Sequence, residues 1–185
     1  MEINTHRLCL IPLTAEHLDL LANDRPQAEA ALNCVYQGPV VDCALQSILR
    51  ERAEQIQNTP DQWLWYTFWL IVRKQDRAVV GHIEFDGPPN QKGEVQLRYA
   101  LSTQHSHQGY MTEAVYELCN WAKQQPGVRY FMAETEDDDF AAQRVLQRCN
   151  FIEWGGEKNI RWCRSASVDH TPGWNILKWE LVEND

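Results

Sequence analysis

Tyr99-Ala100-Leu101-Ser102-Thr103-Gln104-His105-Ser106-His107-Gln108-Gly109-Tyr110-Met111-Thr112-Glu113-Ala114 is the stretch in which the chain changes period. Upstream of it, Val95, Leu97, Tyr99 and Leu101 alternate, predicting a strand over Glu94–Leu101. Downstream, Met111, Ala114, Val115, Leu118 and Ala122 recur at helical spacing, predicting a helix from near Gly109 to just before Pro126. A strand thus ends in a tight polar loop and a helix begins at a glycine. The first helical N–H groups then point outward, unpaired, beside the positive end of the helix dipole. A pyrophosphate suits such a place, although a capped turn is the commoner use of the same geometry. Neither a G-x-x-x-x-G-K-[ST] nor a G-x-G-x-x-G pattern occurs, which disfavours nucleoside-triphosphate and dinucleotide folds.

The flanks predict a mixed sheet. Ala78–Phe85 reads as a strand joined to Glu94–Leu101 by the turn-rich Gly87–Gly93, and Trp65–Val72 as a strand covered on both faces. Nearer the start lie a strand at Leu8–Leu13 and a helix from about Ala15 to Leu21 capped by Thr14. An amphipathic helix follows from Asp42 to about Gln57, stopped near Pro60. Beyond the central helix come a strand (Arg129–Thr135), a helix (Phe140–Arg148) and a strand near Phe151. A loop is expected over Ile160–Gly173 and a last strand over Trp174–Val182. Antiparallel strands feeding a strand–helix–strand–helix–strand unit imply a mixed α/β fold, with residues 1–185 as a single domain.

Charge excludes some functions. Seventeen Lys and Arg against 26 Asp and Glu give a net charge of −9 over 185 residues. Such a surface repels phosphate backbones and attracts amines, so no nucleic-acid partner is expected. Six cysteines without a C-x-x-C pair read as reduced thiols in a cytoplasmic protein. No apolar run suggests a signal peptide or a membrane partner. His105-x-His107 lacks a third ligand at readable spacing, so no metal is expected there and both rings are read as exposed.

The order of the central loop and helix, the strand end Ala133-Glu134-Thr135-Glu136, and Arg144-Val145-Leu146-Gln147-Arg148-Cys149-Asn150-Phe151 resembles the GNAT superfamily of N-acetyltransferases. The branch with ribosomal-protein N-terminal (alanine/serine) acetyltransferases is the most similar, and Thr5-His6-Arg7-Leu8-Cys9-Leu10-Ile11-Pro12-Leu13 resembles its first strand. Nearly the whole chain, from about Thr5 to Phe151, is covered. The resemblance implies a GNAT fold, a central twisted mixed sheet of about six to seven strands flanked by about four helices. It also implies acetyl-CoA as co-substrate, without a metal, and direct attack by a primary amine in a ternary complex. Tyr99, Ala100 and Leu101 would lie along the pantetheine arm. Backbone N–H groups of His107, Gln108, Gly109, Tyr110, Met111 and Thr112 would cradle the pyrophosphate, with Asp139 and its helix on the other side. The acceptor would be a small-molecule amine or a protein N-terminus, and the protein a monomer or homodimer.

Several positions depart from the family pattern. Ser106 stands where the loop usually has Arg or Gln, Met111 where it has Gly or Ala, Gln96 where the branch has Glu, and Arg98 where it has Gly. Asp139 replaces the usual Asn, Ala142 a Ser, Asn150 a Gly, and Leu146 a Tyr that serves some relatives as general acid. If Phe85 pairs with Val95, Glu84 faces Gln96 and His82 faces Arg98. Glu84 then either supplies the missing carboxylate as general base or forms a structural pair with Arg98. Glu134 is a second candidate base, within an acidic run read chiefly as a solvated loop that also draws cations inward. Most of the eight tryptophans should be packing, with Trp63 or Trp162 as candidates for an acceptor groove. The rival function is a non-catalytic CoA-binding or sensor protein on the same fold.

Overall fold

The computed structural model describes residues 1–37, 42–156 and 159–167. Two strands, β1 (Ile3–Asn4) and β2 (Leu8–Pro12), pair antiparallel at the start of the chain. Thr14 caps helix α1 (Ala15–Asn23): its hydroxyl accepts from the His17 N–H, and the His17 ring accepts from the Thr14 N–H. Asp24 caps a further helix, α2 (Arg25–Leu32), that the sequence did not predict. Only Ala28 and Leu32 of α2 are buried, too few to show a period. After β3 (Val35–Tyr36), Asp42 caps the expected long helix, α3 (Cys43–Asn58).

The strand expected from Trp65 begins later. Trp63–Tyr66 form one helical turn, α4, and β4 runs Phe68–Arg73. An apolar aromatic run suits a buried turn as well as a buried strand, so composition does not separate them. Next come β5 (Ala78–Phe85), β6 (Glu94–Leu101), a 3-10 turn (Thr103–His105), α5 (Tyr110–Ala122), β7 (Tyr130–Glu136) and α6 (Phe140–Arg148). The chain then forms β8 (Ile152–Gly155) and β9 (Asn159–Ser165). β9 falls partly where a loop was expected. The strand expected over Trp174–Val182 lies outside the described residues.

The sheet runs β1-β2-β4-β5-β6-β7-β9-β8, with β3 pairing in parallel along β5. β6 and β7 are also parallel; the other neighbours are antiparallel. The mixed α/β class is as predicted, but the described residues hold nine strands and six helices. The excess over the expected numbers lies in short pieces such as β1, β3 and α4. On one face, α1–α3 pack through Leu18, Leu21, Leu49 and Ala53. On the other, α5 and α6 pack through Met111, Val115, Leu118 and Leu146, beside Trp65, Trp69, Phe85 and Phe131. Trp65 packs at a tilt against both Phe85 and Trp121, ring centroids 5.2 Å apart, and Trp69 likewise against Trp121 at 5.2 Å. Most of the described tryptophans are therefore packing, each buried ring adding about 1.5–3 kcal/mol or more, whereas Trp154 is exposed. Among the described residues no helix is long and apolar enough to cross a membrane.

The β5–β6 register differs from expectation by two residues. Phe85 pairs with Leu97, Glu84 with Arg98 and His82 with Ala100. Asn90 is the cause: its N–H donates to the Glu94 carbonyl at 3.0 Å, and its side-chain oxygen accepts from Lys92 and Glu94. The hairpin thus turns about Gln91 and Lys92 rather than about Asn90.

Candidate active site

Hydrogen-bonded pairing between β6 and β7 covers only Glu94–Gln96 against Tyr130–Met132. Beyond Gln96 the two strands part. β6 runs on to Leu101, whereas β7 turns its other edge to β9 as far as Glu136. This leaves a cleft of about 850 Å3, lined by Tyr99, Ala100 and Leu101 on one wall and by Asp139, Ala142 and Val145 on the other. Tyr99 bridges the walls, its hydroxyl donating to the Ala142 carbonyl at 3.0 Å. Burial raises the Tyr99 phenol above its usual pKa, so it remains protonated.

At the end of the cleft the loop turns into α5. His107 and Gly109 both have left-handed backbones, φ 60° and 74°. Gly109 is the N-cap residue and offers no side-chain hydrogen bond to the helix. The N–H groups of the first turn are consequently left for a guest. His107, Gly109, Tyr110, Met111 and Thr112 line the cleft, as does Ser106; Gln108 does not, and its carbonyl accepts from Arg7 Nη1 at 2.7 Å. His105 is buried, its Nε2 3.3 Å from Gln37 Oε1, contrary to the exposed position expected of it; His107 is exposed. The 3-10 turn folds His105 back under the loop. Among the described residues no group of three His, Cys, Asp or Glu side chains is placed to hold a metal.

Opposite this helix terminus, Asp139 caps α6 by accepting from the Ala142 N–H at 2.9 Å. α6 turns Ala141, Arg144, Val145 and Arg148 to the cleft. Two arginines four residues apart share a helix face, so this acidic protein presents cations where a phosphorylated ligand would enter. The sequence reading missed them, although the Arg144–Arg148 spacing after a capping Asp139 was there to be read.

A second cavity, of about 450 Å3, lies on the α1–α3 side of the sheet. Its walls are Leu13, Leu21, Leu45, Leu49, Phe68, Leu70 and Val79, with Tyr36, His82, Ser102 and Thr103 among its polar residues. Ala100, Leu101 and Thr103 line both cavities, so the two spaces flank the same end of β6. Here β5 approaches β6 closely enough to require a glycine: a Cβ on Gly81 would lie 2.3 Å from the Ala100 carbonyl oxygen.

The carboxylates singled out as bases line neither cavity. Glu84 is 8% exposed and its Oε2 accepts from Arg52 Nη2 at 2.8 Å. Burial raises the Glu84 carboxyl above its usual pKa, and the Arg52 charge opposes that rise. Although Glu84 faces Arg98 in register, Arg98 is paired with Asp86 at 2.8 Å. Glu134 is exposed on β7, opposite Arg161. Trp63 and Trp162 also lie outside both cavities; Trp162 is buried and its Nε1 donates to Thr135 at 3.0 Å.

The acetyltransferase (GNAT) domain model matches residues 7–152. A curated relative, an uncharacterized N-acetyltransferase YjdG of Bacillus subtilis, is 33% identical over 84 residues, 45% of this chain and 50% of that protein. The aligned part of the chain thus spans half the length of this relative. Among solved structures, ribosomal-protein-S5-alanine acetyltransferase from Vibrio fischeri superposes with a TM-score of 0.67 at 13% identity, covering 92% of this chain and all of that one. RimL, a ribosomal L7/L12 α-N-protein acetyltransferase in complex with coenzyme A, gives 0.65 at 17% identity, covering 91% and 100%. At these identities the two structures speak for the fold.

Proposed function

The chain belongs to the acetyltransferase (GNAT) family, and from that premise we propose that it moves an acetyl group from acetyl-CoA to a primary amine, by direct attack in a ternary complex. The observation that carries this reading is the parting of β6 and β7 into a cleft that ends at an uncapped helix N-terminus and shares Ala100, Leu101 and Thr103 with a second cavity.

The residues present fit the co-substrate. The free edge of β6 at Tyr99–Leu101 offers backbone groups to the amides of a pantetheine arm. Backbone N–H groups of His107 and of Gly109, Tyr110, Met111 and Thr112, with Gly109 leaving room, suit a pyrophosphate; Arg144 and Arg148 add charge that Ser106 lacks. Asp139 orients the opposite helix. Bound acetyl-CoA supplies an acyl thioester, a carbonyl carbon activated toward amines. This chain's part is to align that carbonyl with an acceptor entering from the far side of the sheet and to exclude water. The acceptor remains a small-molecule amine or a protein N-terminus, and a cytoplasmic setting suits six free thiols.

One observation favours the non-catalytic alternative: Glu84 is engaged by Arg52 and Glu134 lies away from both cavities. Calorimetric titration with acetyl-CoA, CoA and ATP, followed by thiol release with an amine panel, separates the readings. Micromolar binding of both CoA species with turnover supports the transferase. Binding without turnover of any amine favours the sensor, and no binding at millimolar acetyl-CoA overturns both.

A further inference from the structure

The cavity on the α1–α3 side says what kind of amine it suits. Of the described residues that line it, none is an Asp, Glu, Lys or Arg. A polyamine buried there would bring two or more cations with no carboxylate to meet them, at a cost of several kcal/mol each. A peptide N-terminus would bury amide groups against Leu21, Leu45, Leu49 and Leu70, where few partners exist for them. A single amino group on an apolar body meets neither obstacle, and the volume of about 450 Å3 is in the range of small-molecule sites.

His82 is the titratable group at the end of this cavity nearest the cofactor cleft. It pairs across the strands with Ala100, which lines both spaces. Its ring meets Phe68 edge-on with centroids 5.4 Å apart. Among the described residues, the charged groups beside it on the same face are Arg52 from α3, Glu84 from its own strand, Arg98 from β6 and Asp86 beyond the end of β5. They are paired with one another, Arg52 with Glu84 and Arg98 with Asp86. Burial lowers the pKa of His82, which keeps the imidazole neutral and able to accept a proton near pH 7.

We propose that this cavity is an acceptor pocket for a small monoamine on an apolar body, an arylalkylamine in class, and that His82 takes the proton from its ammonium. The inference rests on the acetyl-transfer reading above. The ammonium gives one proton to a ring nitrogen of His82. The freed lone pair forms the N–C bond to the acetyl carbon as the C–S bond breaks, and the second proton shed by nitrogen ends on the departing sulfur. His82 then loses its proton to solvent. The acidic surface gathers the cation, and the apolar walls select its body.

The test uses the purified full chain with acetyl-CoA and three amines: 2-phenylethylamine, spermidine and a short peptide with a free alanine N-terminus. The expected kcat/KM for 2-phenylethylamine exceeds the other two by about tenfold or more. Leu45→Trp, which fills the pocket, should keep its acetyl-CoA affinity while calorimetric binding of 2-phenylethylamine weakens about tenfold or more. His82→Gln should bind the amine normally and lower kcat about 100-fold at pH 7, a deficit that shrinks as pH nears the pKa of the amine. A preference for spermidine or the peptide, an unaffected Leu45→Trp, or a pH-independent His82→Gln deficit each overturns the inference and leaves the acetyl-transfer reading standing. Absence of acetyl-CoA binding overturns both.

Discussion

Arg7, just before β2, reaches Glu113 in the first turn of α5 with Nε 2.7 Å from Oε2, while its Nη1 donates to the Gln108 carbonyl. One guanidinium therefore joins the start of the sheet, the proposed pyrophosphate loop and the helix behind it. Glu113 also accepts from the Arg7 N–H at 2.8 Å and from the Thr5 hydroxyl. Burial pushes the Glu113 carboxyl up, but the hydrogen bonds from Thr5 and Arg7, with the Arg7 charge, outweigh it and hold the group below its usual pKa.

Glu113→Ala should cost about 1–3 kcal/mol, because it leaves several half-buried donors unpaired. The sign with pH follows from the lowered pKa. This stabilisation is fully present above the unfolded value near 4.5 and is lost as pH falls through the lower folded value. Urea unfolding of wild type and Glu113→Ala should therefore differ at pH 7 and converge in acid. A constant difference down to pH 3 would contradict it.

Gly109→Ala tests the loop directly. At φ 74° an alanine is strained, and its Cβ would sit 3.4 Å from Arg7 Nη2. Helix α5 should form regardless, so thermal stability falls by about 1–2 kcal/mol while acetyl-CoA binding weakens roughly tenfold. Arg144→Ala and Arg148→Ala should weaken it severalfold each and flatten its salt dependence. Calorimetry at two ionic strengths reads both effects.

Gly81→Ala tests the close approach of β5 to β6. A Cβ 2.3 Å from a backbone carbonyl cannot be absorbed by a side-chain rotation, so β5 and β6 must separate. Expected is a loss of about 1–3 kcal/mol in urea unfolding. Acetyl-CoA affinity and turnover should both fall, since the displaced Ala100 lines both cavities.

How much of this was legible beforehand follows from which forces act locally. The bounds of α6 and the start of α5 could be read from period and caps, because those signals lie within a few residues. The hairpin register could not, since Asn90 chose the turn and shifted Glu84 by two positions from Gln96. β9 was hidden by chemistry. Ile160, Trp162 and Arg164 alternate inward, but an arginine does not read as a buried residue. The proposed acceptor cavity draws on α1, β3, α3, β4, β5 and β6, contacts that only the folded sheet brings together.

Thiol chemistry gives a prediction independent of acetyl transfer. Burial pushes Cys119 up to about 12 and raises Cys149 further, and both are fully buried; Cys43 is exposed at the start of α3. Cys43 should react fastest with an aromatic disulfide reagent at pH 7.5, the half-buried Cys163 more slowly, and Cys119 and Cys149 only on unfolding. Cys43→Ser should remove the fast phase. Rapid release of several equivalents from that variant would contradict this burial.

Among the described residues, Arg164 on β9 is the buried cation. Its side chain is 2% exposed, its guanidinium carbon lies 5.7 Å from the Phe131 ring centroid, and its three nitrogens have no hydrogen-bond partner among the described residues. The ring face returns part of the desolvation cost, but only about 2 kcal/mol. An unpaired buried charge costs several kcal/mol. Arg164→Met keeps most of the volume and removes the charge, so urea unfolding should show a change between zero and about 4 kcal/mol in the stabilising direction. A loss of about 3–5 kcal/mol would mean instead that the guanidinium is fully paired in the whole chain. Arg164→Lys, which keeps a charge on a shorter and more strongly hydrated group, should be less stable than either.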